Sequence, residues 1–388
     1  MATVKILAML PYASFPALVP QFIQLWGLTN AEAGWIGGIF YFGYMLAVPV
    51  LVGATDRVDA RLVLAAGCLV SALANFAFAA FADSFAEAML WRALSGVGLA
   101  GIYMPGLRAL TDRLESGDQS RAVVFFTTSY SIGVTASFLL TGAAYDASGW
   151  PLAFALGGIG PLVSLALVWG LLKPHAPQET SGRAMLDFRP VFRNRAALAY
   201  ILAYGAHCFE LMAWRGWIAA FLVFAAAKSG EASAASITAW VAALSIVVVP
   251  ASLLGNEMAL RFGRRRVILT VMFASAAVAL AVGVGVGAGQ SFGLLLALCF
   301  LYAMTIAGDS GAITAGTLMS AKPSDKGATL AVHATVGFGF SFLGPLAVGL
   351  TLDAAGGADA FGWGLAYAVM AAGALLGPLV LLTVGRGR

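Results

Sequence analysis

The stretch YGAHCFELMAWRGW, residues 204–217, sets His207, Glu210 and Arg215 inside an otherwise apolar run. Histidine and glutamate exchange protons, and a guanidinium grips carboxylate or phosphate in a forked geometry. The same residue types recur in apolar surroundings at Arg92, Asp309 and His333. Two chemistries follow from these types. His207, Glu210, Asp309 and His333 suit a proton relay, and Arg92 and Arg215 suit an anion clamp. The plainer alternative is that Glu210 and Arg215 neutralise charges on neighbouring helices and that His333 is a hydrogen-bonded packing residue.

Spacing bears on which reading holds. A helix advances about 100° per residue. With His207 at zero, Tyr200, Tyr204, Glu210, Leu211, Trp214 and Arg215 share an arc of about 140°. Ile201, Phe209 and Met212 are expected to point away from it. Other runs carry similar polar faces. Ser14, Gln21 and Gln24 fall together, as do Thr127, Tyr130, Ser137 and Thr141, and Tyr302 with Thr305 and Asp309. Tyr103 lies almost directly beneath Arg92.

The elements that hold these residues follow from composition. Of 388 residues, 61% are hydrophobic and 10% charged, with a mean hydropathy of +0.89. A soluble domain carries about 25% charged residues. A membrane helix needs roughly 20 mostly apolar residues. Twelve such segments start near Val4, Gly34, Leu62, Ala88, Ala122, Pro151, Ala196, Ala234, Val267, Phe292, Ala328 and Trp363. Runs such as VILTVMFASAAVALAVGVGVG do not alternate, which excludes a β-barrel. Pro11, Pro16 and Pro20 interrupt the first segment and argue against a cleaved leader. Cys68, Cys208 and Cys299 fall inside helices and make no disulfide framework.

Placing the N-terminus inside puts 19 of the 22 Lys and Arg, Lys5 included, on the cytoplasmic side; only Arg92, Arg215 and Lys228 are excepted. That bias predicts both termini in the cytoplasm. The basic residues are scattered over short loops, so a nucleic-acid surface is not expected. KPHAPQETSGRAMLDFRPVFRNR, residues 173–195, separates six spans (1–172) from six more (196–388). GWPLAFALGGIGPLVSLAL from Gly149 and GWGLAYAVMAAGALLGPLV from Gly362 are identical at seven of nineteen positions. This is a parallel repeat of two six-helix halves.

The loop after span two reads DRVDAR and the loop after span eight reads RFGRRR. Span four contains RALSGVGLAG. Together with the span count, central loop and repeat, these motifs resemble the major facilitator superfamily over the whole chain. Asp56, Arg57 and Arg61 match its loop signature, with Asp59 and Ala60 in place of a glycine and a basic residue. Arg261, Gly263, Arg264 and Arg265 match in the second half, with Leu260 in the aspartate's place. Arg92, Gly96, Gly98 and Ala100 match the span-four pattern.

The resemblance implies an all-α membrane protein of twelve transmembrane helices. Spans one, four, five, seven, ten and eleven would line or border a central cavity. It also implies a conformational latch at Asp56, Arg57, Arg61, Arg261, Arg264 and Arg265; a solvated anchoring loop is the alternative. The expected activity is secondary transport of a small anionic organic solute by alternating access, coupled to protons. Arg92, Arg215, Tyr204, Trp214, Tyr130 and Gln21 would bind the solute. The competing expectation is a drug or organic-cation exporter, with Glu210 and Asp309 attracting the cation. Span five lacks the Gly-Pro pair frequent in exporters of the family. No zinc or phosphate-loop motif occurs, so no enzyme, cofactor or metal is expected. A monomer in an inner membrane, with lipid, solute and protons as partners, completes the expectation.

Overall fold

The computed structural model describes residues 1–114, 116–176, 188–227, 233–322 and 325–384. Arg183, Lys228, Arg386, Arg388, the side chain of Arg121 and much of the segment 173–195 lie outside the described residues. Every regular element among those described is a helix. In chain order these are α1 (Ala2–Ala8), α2 (Val19–Trp26), α3 (Asn30–Ala54), α4 (Ala60–Phe81), α5 (Phe85–Thr111), α6 (Ser116–Leu171) and α7 (Arg189–Arg193). Then come α8 (Arg195–Ala226), α9 (Ala234–Phe262), α10 (Arg264–Gly287), α11 (Phe292–Ala307), α12 (Ser310–Ser320), α13 (Lys326–Ala354) and α14 (Ala360–Thr383).

Nine stretches among the described residues are long and apolar enough to cross a membrane. One of them, α6, bends at Ser148 and Gly149, where Gly149 takes φ 79° and lets one helix end and the next begin at Pro151. Together with the broken first span and α5, the segments are consistent with twelve spans. The first span is α1, a 3-10 turn (Pro16–Leu18) and α2, because prolines cannot donate to the helical ladder. Ser137 of α6 mends part of that gap, accepting from Ala13 N–H at 2.8 Å and donating to Leu10 C=O at 2.5 Å. The segment starting at Phe292, expected as one helix, breaks at Gly308–Asp309 into α11 and α12.

The chain divides into two compact units. Unit 1 gathers described residues within 1–21, 39–183 and 233–246; unit 2 gathers those within 22–38, 184–232 and 247–388. Large apolar side chains are exposed on both, among them Val50, Phe125 and Leu171 in unit 1 and Val284 and Met319 in unit 2. Such surfaces suit lipid rather than water.

Small residues bring the helices close within each unit. In unit 1, a Cβ on Gly98 of α5 would come within 2.7 Å of the Ser71 nitrogen of α4, and one on Gly96 would collide with the Phe40 carbonyl of α3. The span-four glycines are therefore packing residues that set α5 against α3 and α4. In unit 2, α8 packs against α11, α12, α13 and α14. Gly344 of α13 lies against the Phe209 backbone, and Trp217 Nε1 donates to the Pro345 carbonyl at 2.9 Å. The side of α8 away from its polar arc is buried too, at Ile201 and Met212, since four helices surround it.

Candidate functional site

Unit 1 buries two cations, Lys5 and Arg92, and no carboxylate among its described residues. Arg92, 2% exposed, points from α5 onto the face of Phe40, its guanidinium carbon 4.5 Å from that ring centroid and 5.8 Å from that of Phe15. A guanidinium stacked on aromatics keeps its edge for hydrogen bonds. Here Nε and Nη1 meet no hydrogen-bond partner among the described residues. Tyr12 packs edge-on against Phe40 and Tyr130, and its hydroxyl lies 2.7 Å from that of Tyr41. A small cavity lined by Pro11, Tyr12, Phe40, Ser71, Ser95 and Leu99 opens on the same Tyr12–Phe40 pair.

Lys5 is a correction to the sequence reading, which placed it among the cytoplasmic charges. It is 1% exposed. Its ammonium donates to the Phe126 carbonyl at 2.9 Å and sits 4.0 Å from the Tyr103 ring centroid and 4.1 Å from that of Phe126. Tyr103 therefore serves Lys5, although helical spacing set it beneath Arg92. Tyr130 is half-buried between Tyr12 and Tyr103. Gln21 is half-buried, whereas Gln24 is exposed.

Unit 2 holds a different mixture. His207, Glu210, Arg215, Asp309 and His333 are all at most 5% exposed. His207 Nδ1 is 2.8 Å from Asp309 Oδ1, at the α11–α12 break. The two atoms are close but not aligned as a hydrogen bond. Glu210 Oε1 accepts from Ser275 Oγ of α10 at 2.7 Å and from Tyr302 Oη of α11 at 3.0 Å. Trp214 packs edge-on to Tyr302. His333 stacks on Tyr204 at 3.8 Å, with its Nδ1 3.2 Å from Thr317 Oγ1.

Ser275 was missed from the sequence, because one serine in an apolar helix carries no periodic signal. The span-ten break was missed as well. Gly308 stands at it, and the Gly308 carbonyl leaves no room for a Cβ on Gly255 of α9.

Asp56, expected to pair with arginines in a latch, does meet one. Asp56 pairs with Arg108 of α5, which also donates to Thr55 Oγ1 at 2.9 Å. Arg57 and Arg261 are exposed. Arg61 donates to Leu172 C=O at 2.6 Å, Arg264 lies against Met319, and Arg265 donates to Leu381 C=O at 2.9 Å. Asp59, read from the sequence as a departure from the loop signature, is the hub. It caps α4 by accepting from Arg61 N–H, accepts from His175 N–H, and takes Arg113 Nη2 on both oxygens at 2.8 and 2.9 Å.

Partial burial pushes the Asp59 carboxyl up, but the Arg113 hydrogen bonds, the Arg61 and His175 N–H groups and the Arg113 charge outweigh it and hold the group below the ordinary 3.8. A depressed carboxylate contributes stability above its unfolded value and loses it as pH falls through the folded one. Asp59→Asn is accordingly expected to cost about 2 kcal/mol at neutral pH, since it takes the charge out of the Arg113 pair while an amide oxygen can still cap α4. In detergent, the thermal-unfolding gap between variant and wild type should narrow as pH drops below about 4. A gap that is flat with pH would mean that the Asp59 charge does not matter.

The family model described as Major Facilitator Superfamily matches residues 1–230. The niacin transporter NiaP of Acinetobacter baylyi is 27% identical over 142 residues, 37% of this chain and 32% of that protein. A probable 4-methylmuconolactone transporter of Cupriavidus pinatubonensis is 26% identical over 218 residues, 52% of this chain and 49% of that one. The matched region thus spans from a third to a half of the length of these curated relatives. Among solved structures, a bacterial homologue of the human lysosomal transporter Spinster aligns with a TM-score of 0.78 at 15% identity, over 99% of this chain and 94% of that one. At that identity the likeness is one of fold.

Proposed function

The chain belongs to the major facilitator superfamily, and from that premise we propose that it carries a small organic anion across the membrane by alternating access, coupled to protons. It is a multi-pass membrane transporter of small solutes, not an enzyme. The observation that carries the anion is the charge balance of unit 1: two buried cations and no buried carboxylate among the described residues. Burying a charge without an opposite one costs several kcal/mol, which a carboxylate on the guanidinium edge of Arg92 offsets. Relatives named as transporters of niacin and of 4-methylmuconolactone support an organic-acid cargo.

The proton belongs to unit 2. Glu210 takes both hydroxyl hydrogen bonds, from Ser275 and Tyr302, on Oε1, and neither partner carries a charge of its own. Asp309 has His207 as its charge partner. Arg215 shares its unit with both carboxylates, so we assign it to charge balance and Arg92 to the solute. Trp214 packs edge-on to Tyr302, Tyr204 stacks on His333, and the two shape the proton cluster.

The organic-cation alternative needs an acid open to a cation, whereas Glu210 and Asp309 are both engaged by their own neighbours. The domain plan for this activity is 1–172, 173–195 and 196–388. The protein is a monomer in the inner membrane, with both termini in the cytoplasm.

The test is a pool of small polar carboxylates (lactate, gluconate, 4-hydroxybenzoate) added to proteoliposomes that enclose a pH dye, with lipid-only vesicles as background. Anion-driven acidification of the lumen, stronger at about pH 6 than at about pH 7.5, is the expected result. Proton flux driven only by a pool of organic cations would overturn the anion reading.

A further inference from the structure

Lys5 has no place in the scheme above, yet its setting is unusual. The residue is 1% exposed, and no carboxylate pairs with it among the described residues. It has three N–H donors. One goes to the Phe126 carbonyl, which also accepts from Ser129 Oγ at 2.7 Å. Three ring faces lie near it as well: Tyr103 at 4.0 Å, Phe126 at 4.1 Å and Tyr130 at 5.7 Å. A ring face attracts a cation but takes no localised N–H bond, and its contribution of about 2 kcal/mol falls short of an ammonium's lost hydration. One carbonyl and three rings form an incomplete coordination that an anionic oxygen completes.

Position makes this a second site and not an extension of the first. Tyr103 follows Arg92 by eleven positions in α5, which places the two about 16 Å apart along the helix. Between them runs a row of aromatic edges, from Phe40 at Arg92 to Tyr12, then Tyr130, then Tyr103 at Lys5. A small solute cannot bridge that distance, but it can be held at either end.

We propose that Lys5, in its cage of Tyr103, Phe126 and Tyr130, is a second carboxylate-binding station, separated from Arg92 along α5 by the Tyr12–Tyr130 row. The proposal rests on the anion reading of this transporter. A buried cation at each end of one aromatic row gives a carboxylate two places to stop. The tyrosines between them present ring edges, not competing charges.

Equilibrium dialysis of the purified full-length chain in detergent against radiolabelled benzoate tests this, with the double variant R92Q/K5Q as the blank for micelle uptake. Binding that approaches two benzoates per wild-type chain is expected, falling to one in Arg92→Gln and to one in Lys5→Gln. A glutamine amide still donates to the Phe126 carbonyl, so a lysine that only tethers α1 to α6 would leave the Lys5→Gln count unchanged. Lys5→Arg should restore the second benzoate. If glutamine does not fit the cage, Lys5→Met, uncharged and of similar length, serves the same comparison. One benzoate per wild-type chain, lost in Arg92→Gln and kept in Lys5→Gln, overturns the second station and leaves the anion reading standing. No benzoate on the wild type defeats the anion reading, and the second station with it.

Discussion

Arg92→Gln is expected to lower uptake of small carboxylates by about a hundredfold or more while leaving the protein folded and no less stable. Each hydrogen bond to a charged group is worth about 1.5–3 kcal/mol, and a forked pair supplies two of them. The guanidinium is well placed for that fork. Phe40 holds its face, and Nε and Nη1 are without hydrogen-bond partners among the described residues. Stability should not suffer, because removing a buried and uncompensated cation relieves a desolvation cost. Arg92→Lys separates charge from shape. A lysine keeps the charge but neither the fork nor the flat stack, so an intermediate loss is expected. Uptake in proteoliposomes and thermal unfolding in detergent, measured on the same preparations, decide the matter. Unchanged uptake in Arg92→Gln removes the anion clamp. Uptake and melting temperature falling together would make Arg92 a packing residue.

Stability and function separate here because the costly residues are also the legible ones. His207, Glu210, Arg215 and Arg92 stand out in the sequence since nothing in an apolar helix explains a charge. Their partners do not stand out. Ser275 is one small residue in an apolar run, and its bond to Glu210 joins positions 65 apart. Lys5 misled for a related reason. A lysine at the head of an apolar segment obeys the positive-inside rule, and only the fold brings Phe126, 121 positions away, over its ammonium. Asp59 was readable in principle. An aspartate one residue before a helix is an N-cap pattern, but the comparison with a loop signature made it look like a loss.

The span count and the bend at Gly149 follow from hydropathy and one glycine. The break at Gly308–Asp309 does not, because a glycine in a membrane helix serves packing as often as a break. That break is where Asp309 meets His207, so part of the candidate proton site was hidden with it.

Glu210→Gln is expected to cut proton-driven uptake by about a hundredfold while solute exchange at equal pH on both sides stays within about threefold of wild type. The substitution keeps the shape of the site. A glutamine oxygen accepts from Ser275 and Tyr302 as the carboxylate does, so neither hydroxyl loses its partner. What disappears is the proton that the proposed coupling role requires of the carboxyl. Exchange needs the loaded carrier to reorient but no net proton movement, whereas uphill uptake needs both. Asp309→Asn should behave differently, because it leaves His207 without its carboxylate 2.8 Å away and removes one buried negative charge from a unit that also buries Arg215. Loss of exchange and uptake together is therefore expected there, through the altered charge balance of the cluster. Counterflow of labelled solute set beside uptake driven by an imposed pH gradient separates the two variants. If Glu210→Gln abolishes counterflow as well, Glu210 acts in binding or folding, and the coupling proton must be sought on the His207–Asp309 pair.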